Sequence, residues 1–243
     1  MKKLCFVLIF TLLIGIFPVG AVNVVANEND AKNVVVNVTP EKMYYDPELD
    51  ANVMSYTVDD NGSVTYLTKA EVDALSANQI QEADSYFESA SSPPIVPWVD
   101  YIQWYVFKQK FGPYHYQGST IKVSRDLIAP AEGGSISVSI NNTIEEFFSA
   151  GITSAAQKSA IQAGVNFSWT KSASITETHT INLLPGQSGY VGFAPYYNQV
   201  IGDLDTYANQ GVGYIGTTRN VYGYSVKTTG LGEADGVFKF IEY

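Results

Sequence analysis

Residues Val165 to Leu183 read VNFSWTKSASITETHTINL, and they alternate without a break. Val165, Phe167, Trp169, Lys171, Ala173, Ile175, Glu177, His179, Ile181 and Leu183 fall on one side; the other side is Asn166, Ser168, Thr170, Ser172, Ser174, Thr176, Thr178, Thr180 and Asn182. A period of two over that length specifies a β-strand. At roughly 3.3 Å per residue it predicts a strand of about 60 Å, some three times the usual length, so the strand is bent, interrupted or part of an elongated body. Its Ser/Thr/Asn side suits water or a pore lumen better than a core. Glu177 and His179, in phase with each other, read as a polar patch or a strand edge.

Working backwards, Gly133-Gly134 releases Ser135 to Ile140, where Ile136, Val138 and Ile140 face one way and three serines the other. Between the two Ser/Thr-faced strands lies Ile144 to Gly164, in which Ile144, Phe147, Phe148, Ile152, Ala155 and Ala156 fit one uncharged helical stripe. Gly151 and the β-branched Ile152-Thr153 weaken its middle, which predicts a short or kinked helix. Strand, amphipathic connector and strand form one unit, Ser135 to Leu183. Pro185-Gly186 then turns the chain, and Tyr190 to Pro195 is expected to pair back on the long strand.

The remaining chain frames this unit. Lys2 and Lys3, an apolar run from Leu4 to Phe17 and the small residues before Asn27 predict a signal peptide over 1–26 and a secreted, extracellular protein. Removing it deletes the single cysteine, Cys5, and leaves 12 basic residues against 24 acidic ones, a net charge of −12 over about 217 residues. No disulfide framework is available, and the acidic balance excludes general affinity for nucleic acid or anionic lipid. With 17 Tyr, 12 Phe and only 16% charged residues, the composition is that of pleated, half-buried surfaces.

An N-terminal segment, 27–92, contains a hairpin, Tyr56 to Leu67, turning on Asp59-Asp60-Asn61-Gly62. A capping box, Thr68 to Glu71, opens a helix carrying Val72, Leu75, Ile80, Ala83 and Phe87. The proline-rich stretch 91–97 marks the boundary with a main β domain, 93–243. There Trp98 to Phe111 reads as a central strand covered on both faces, Gly112-Pro113 as a turn, and Val237 to Ile241 as a strand expected to fill a sheet edge. The fold class expected is mainly β with minor α: an elongated antiparallel β-sheet body with long amphipathic strands, one N-terminal helix and a short amphipathic helical connector.

No constellation for catalysis or metal binding stands out. The two histidines, His115 and His179, are far apart, and structural zinc wants four Cys or His ligands. Gly186-Gln187-Ser188-Gly189 misses the spacing of a nucleophile elbow. Asp203, Asp205, Glu233 and Asp235 are formal glycosidase carboxylates, but each lies among turn-forming residues. Gly211 to Gly216 spells a dinucleotide fingerprint with no capped helix after it. The expectation is a non-enzyme without cofactor or metal. Trp98, Trp104, Tyr105, Tyr196 and Tyr197 are the aromatics placed to line a glycan or choline surface.

The two Ser/Thr-faced strands, the connector between them and the Pro185-Gly186 turn followed by Tyr190-Val191-Gly192-Phe193 resemble the membrane-insertion region of the aerolysin superfamily, especially its epsilon-toxin branch. The resemblance covers Thr120 to Leu204. It implies a secreted pore-forming protein whose partners are a target-cell membrane and further copies of itself. A lipid-facing strand would expose Lys171, Glu177 and His179, each costly in hydrocarbon. The connector is therefore the expected inserting part. The competing reading is a secreted binding protein that recognises a carbohydrate or wall component through surface aromatics.

Overall fold

In a computed structural model of the chain, residues 32–76, 85–89, 102–209 and 212–243 are described. The expected signal peptide, Trp98 and the proline-rich boundary lie outside these residues. Fourteen strands and two helices follow in order among them: β1 (Lys32–Asn37), β2 (Tyr44–Asp46), β3 (Ala51–Val58), β4 (Val64–Leu67), α1 (Lys69–Ser76), β5 (Tyr86–Ser89), β6 (Gln103–Gln117), β7 (Ile121–Lys122), β8 (Leu127–Ile128), β9 (Gly134–Glu145), β10 (Phe147–Phe148), α2 (Ala155–Ala163), β11 (Ser172–Leu183), β12 (Ser188–Ala208), β13 (Gly213–Val226) and β14 (Gly236–Glu242). The chain is mainly β, with antiparallel pairing throughout except where β1 runs parallel to β11.

A three-stranded sheet, β1-β11-β9, faces a larger one whose main path is β10-β13-β12-β14-β3-β2. Val34, Val36, Ile140, Ile175 and Ile181 of the small sheet share a core with Met54, Tyr56, Leu127, Phe193 and Phe240 of the large one. The long β12 is buried along almost its whole length and pairs successively with β8, β7, β14, β6 and β13. Strands from both sides of the expected boundary near residue 92 share these sheets, β3 pairing with β14 and β1 with β11. The pairing thus gives no division there.

Local signals hold where they are short. Thr68 and Glu71 close the capping box, with Thr68 N donating to Glu71 Oε2 at 2.8 Å and Glu71 N to Thr68 Oγ1 at 3.3 Å. The β3–β4 turn has Gly62 at φ +83, and Asp59 Oδ1 accepts from the backbone of Asn61 and Ser63. Longer-range readings are corrected. Phe87, assigned to the helical stripe, lies in β5, which pairs with β13; Ile80 and Ala83 fall outside the described residues. β6 is an edge strand with Trp104, Val106, Lys108 and Lys110 open to solvent. After the Pro185-Gly186 turn, β12 leaves β11 and enters the other sheet, and β14 is central, between β12 and β3.

The expected turn at Gly112-Pro113 is a bulge within one continuous strand. Gly112 has φ +95, and a Cβ there would stand 2.5 Å from the carbonyl oxygen of Gln199. No other residue fits both the conformation and the approach. Gly112→Ala is expected to lower stability by about 1–3 kcal/mol, read as a lower urea midpoint with an unchanged slope; an unchanged midpoint would refute this account of the bulge.

Candidate functional site

β9 and β11 form an antiparallel ribbon with twelve residue pairs in uninterrupted register, from Gly134↔Leu183 to Glu145↔Ser172. The alternation read from the sequence survives in full over β11. Ala173, Ile175, Glu177, His179, Ile181 and Leu183 are buried, and the residues between them are exposed or half-buried. The polar face is knitted across the strands, with Ser137 Oγ 3.0 Å from Thr180 Oγ1 and Thr143 Oγ1 3.1 Å from Ser174 Oγ.

The strand stops short of its predicted start. Residues 165–171 keep their alternation in sequence yet leave the ladder, because Phe167 and Trp169 are drawn into a second apolar cluster. That cluster centres on Phe107, Val200, Leu204 and Val221 of the large sheet, and receives Phe148, Ile152, Ile161, Val165, Phe167 and Trp169 from the crossing segment 146–171. Its helix α2 begins at a capping box in which Ser154 Oγ accepts from Gln157 N while the Gln157 side chain accepts from Ser154 N. The predicted single helical stripe is therefore not formed. Ile144 ends β9 in the main core, Phe147 is part-exposed and stacks on Tyr224 at 4.0 Å, Phe148 and Ile152 sit in the second cluster, and Ala155 and Ala156 are exposed on the first turn of α2. The helix starts where the cap satisfies its first N–H groups, after most of the stripe has passed.

The polar patch expected at Glu177 and His179 is instead a buried relay. Glu177 is 4% exposed and His179 fully buried. The Tyr56 hydroxyl, whose proton burial holds in place, lies 3.0 Å from His179 Nδ1; His179 Nε2 lies 2.7 Å from Glu177 Oε2. Lys32 of β1 closes the chain, at 3.1 Å from Glu177 Oε1 and 2.8 Å from Glu233 Oε2. Burial alone would raise the Glu177 carboxyl; the hydrogen bonds from His179 and Lys32 outweigh it and hold the group below the ordinary carboxylate range. The relay spans three strands and holds β1 against β11.

The predicted ligand aromatics divide. Trp104 is exposed on β6, whereas Tyr105 points to the opposite face and packs on the second cluster. Tyr196 and Tyr197 are interior: Tyr196 packs edge-on against His115 at 4.4 Å, and burial pushes its hydroxyl up to about 12. Tyr196 and Tyr197 expose only 6% and 7% of their surface, Tyr197 at the edge of a pocket shared with Tyr116 and Phe147. Burial first raises the Asp205 carboxyl, but Lys108 and Thr217 bring it below its usual range, the reverse of what a general acid needs. Among the described residues no three His, Cys, Asp or Glu side chains gather as a metal set, and no helix is long and apolar enough to cross a membrane.

Because Glu177 is held low, its contribution to stability is complete above its unfolded pKa, about 4.3, and is lost as pH falls through the lower folded value. Glu177→Gln is expected to cost about 2–3 kcal/mol at neutral pH and to flatten the acid limb of thermal stability. An acid limb unchanged in the variant would contradict the relay.

No curated protein and no solved structure matches the chain. A family model does, over residues 106–241, more than half of the chain and all of the ribbon and its crossing segment. The chain belongs to that family, a family of unknown function, DUF6060.

Proposed function

We propose that the protein inserts into membranes by extending the β9–β11 ribbon through the crossing segment, and that several copies assemble to close the resulting hairpins into a barrel pore. One observation carries the reading: the register. Continuing the β9–β11 pairing past Glu145↔Ser172 sets residues 146–156 against 161–171, eleven pairs, with Gln157 to Ala160 as the turn. Eleven residues per strand is the length of one β crossing of a bilayer.

The two sides of that hairpin differ. On the side that continues the aliphatic face, the pairs are Glu146/Lys171 at the base, then Phe148/Trp169, Ala150/Phe167, Ile152/Val165, Ser154/Ala163 and Ala156/Ile161. The other side, Phe147/Thr170, Ser149/Ser168, Gly151/Asn166, Thr153/Gly164 and Ala155/Gln162, continues the Ser/Thr face. The apolar side has no charge between the Glu146/Lys171 pair at one interface and Lys158 at the tip. Trp169 next to the base stands where aromatic girdles stand. Glu177 and His179 stay outside the span, which removes the objection that β11 itself raises.

The soluble arrangement supports the same reading. Phe148, Ile152, Ile161, Val165, Phe167 and Trp169, the large side chains assigned to lipid, are seated in the second apolar cluster. The ladder already continues by one bond, Glu146 N to Lys171 O at 2.7 Å, before the strands part. Assembly follows from the backbone: a lone hairpin would leave unpaired edges in hydrocarbon, and only a closed barrel satisfies them. The resemblance to aerolysin-type insertion regions points the same way.

Two exposed positions test this without disturbing the fold. Ala150 and Thr153 are both open to solvent. In the hairpin Ala150 faces lipid near mid-depth and Thr153 faces the lumen. Ala150→Lys is expected to abolish dye release from phosphatidylcholine vesicles and SDS-resistant oligomers, at about 2–4 kcal/mol per copy, while Thr153→Lys keeps both. Equal effects of the two lysines, or no release by the unaltered protein with or without protease nicking, would overturn the proposal.

A further inference from the structure

The open face of β6, β12 and β13, on the side away from α2, carries a second assembly. Register puts Tyr207 of β12 opposite both Trp104 of β6 and Tyr214 of β13. The three rings form a ladder across three strands, Trp104 stacked with Tyr207 at 5.6 Å and 11° and Tyr214 edge-on to Tyr207 at 5.6 Å. Trp104 and Tyr214 are 45% and 43% exposed. Rings of this size left open are costly unless something covers them.

Farther along the same face stands a charged network. Lys108 binds Asp205 at 2.6 Å; Lys110 and Arg219 bind Asp203 Oδ2 at 2.7 and 2.9 Å; Arg219 also pairs with Glu88. The Tyr214 hydroxyl and Thr217 Oγ1 lie 2.6 Å apart, and Thr217 donates to Asp205, joining the ring ladder to the network. Asp203 is 6% exposed, and its Oδ1 has no hydrogen-bond partner among the described residues. A buried carboxylate oxygen without a donor is an acceptor waiting for one.

From these groups we infer that the Trp104–Tyr207–Tyr214 face is a binding site for a neutral oligosaccharide. The choice of ligand follows from charge. Among the described residues three carboxylates, Glu88, Asp203 and Asp205, are matched by three cations, Lys108, Lys110 and Arg219, so this network offers no net attraction to an anionic headgroup and no surplus negative charge for a quaternary ammonium. It does offer apolar ring faces beside an array of fixed donors and acceptors. Sugars present that pair of demands, with C–H faces for the rings and hydroxyls that both donate and accept. From Trp104 to Lys110 the face runs about 20 Å along β6, which suits several sugar units rather than one. The site shares no residue with the proposed hairpin and does not depend on that reading.

The full chain applied to a printed array of neutral and charged glycans, with phosphatidylcholine and anionic vesicles alongside, tests it. Retention on neutral oligosaccharides is expected, insensitive to salt, and weakened at least about tenfold, or 1.4 kcal/mol, by Trp104→Ala and by Tyr214→Ala, while Leu231→Ala, exposed elsewhere, binds as the unaltered chain does. Unchanged thermal unfolding of the two aromatic variants separates lost contact from lost fold; if Trp104→Ala unfolds early, Tyr214→Ala decides. No neutral glycan retained, retention indifferent to both variants, or a vesicle retention that both aromatic variants abolish would overturn the assignment.

Discussion

A side-chain period of two, held over the twelve registered pairs of β9 and β11, is the constraint on which the rest of the molecule depends. One face of the ribbon is aliphatic and must be covered; the other is Ser, Thr and Asn and must stay wet. Because a slip of one residue would exchange the two faces, the register is fixed by the core itself. β1 and the large sheet cover the aliphatic side, and the crossing segment is held to its place by side chains in the second apolar cluster and by the pairing of β10 with β13 rather than by a continued β9–β11 ladder. The same periodicity runs on through 165–169 outside the ladder, where Val165, Phe167 and Trp169 turn into the second apolar cluster while Asn166 and Ser168 stay exposed. In the proposed hairpin the same pattern is the arrangement lipid and lumen require.

In the proposed insertion, charge placement sorts the ribbon into parts that stay and parts that move. Glu177 and His179 lie in the middle of β11 on the aliphatic face, and removing their partners there would leave a carboxylate in a dry core. Tyr56 and Lys32 satisfy them, so this stretch is bound to β1 and β3 and belongs to the body. The crossing segment carries no such anchor in its apolar side. Near the base Glu146 accepts from Gln162 and from Trp169 Nε1, and Ser149 and Thr170 bond to β13, Ser149 Oγ accepting from Tyr222 N and Thr170 O from Val226 N. The network lies where the proposed hairpin begins.

Much of the fold is legible in local sequence, and what is not has a common physical origin. The strand phase from Ala173 to Leu183, the Thr68–Glu71 capping box and the Asn61-Gly62 turn depend on neighbours within a few residues, and each is found as read. Alternation cannot say where a strand ends when the deciding contact is Trp169 packing on Phe148, twenty-one residues away in sequence and across a helix. Nor can it show that Glu177 has Lys32 as a partner, or that His179 has Tyr56, since those separations are 145 and 123 residues. Of the aromatics proposed for ligand binding, Trp104 is on an open face while Tyr196 and Tyr197 are interior. Composition registers aromatic excess alike in both settings, and only the β6–β12–β13 register reveals that Trp104, Tyr207 and Tyr214 meet.

The extended hairpin is tested most directly by single cysteines placed one at a time from 146 to 171, each carrying a polarity-sensitive fluorophore, on vesicles after release has gone to completion. The account predicts a two-residue period, with labels apolar at even positions up to 156 and at odd positions from 161, and a break at 157–160. A flat profile, or a period near 3.6 residues across 155–163, would contradict it.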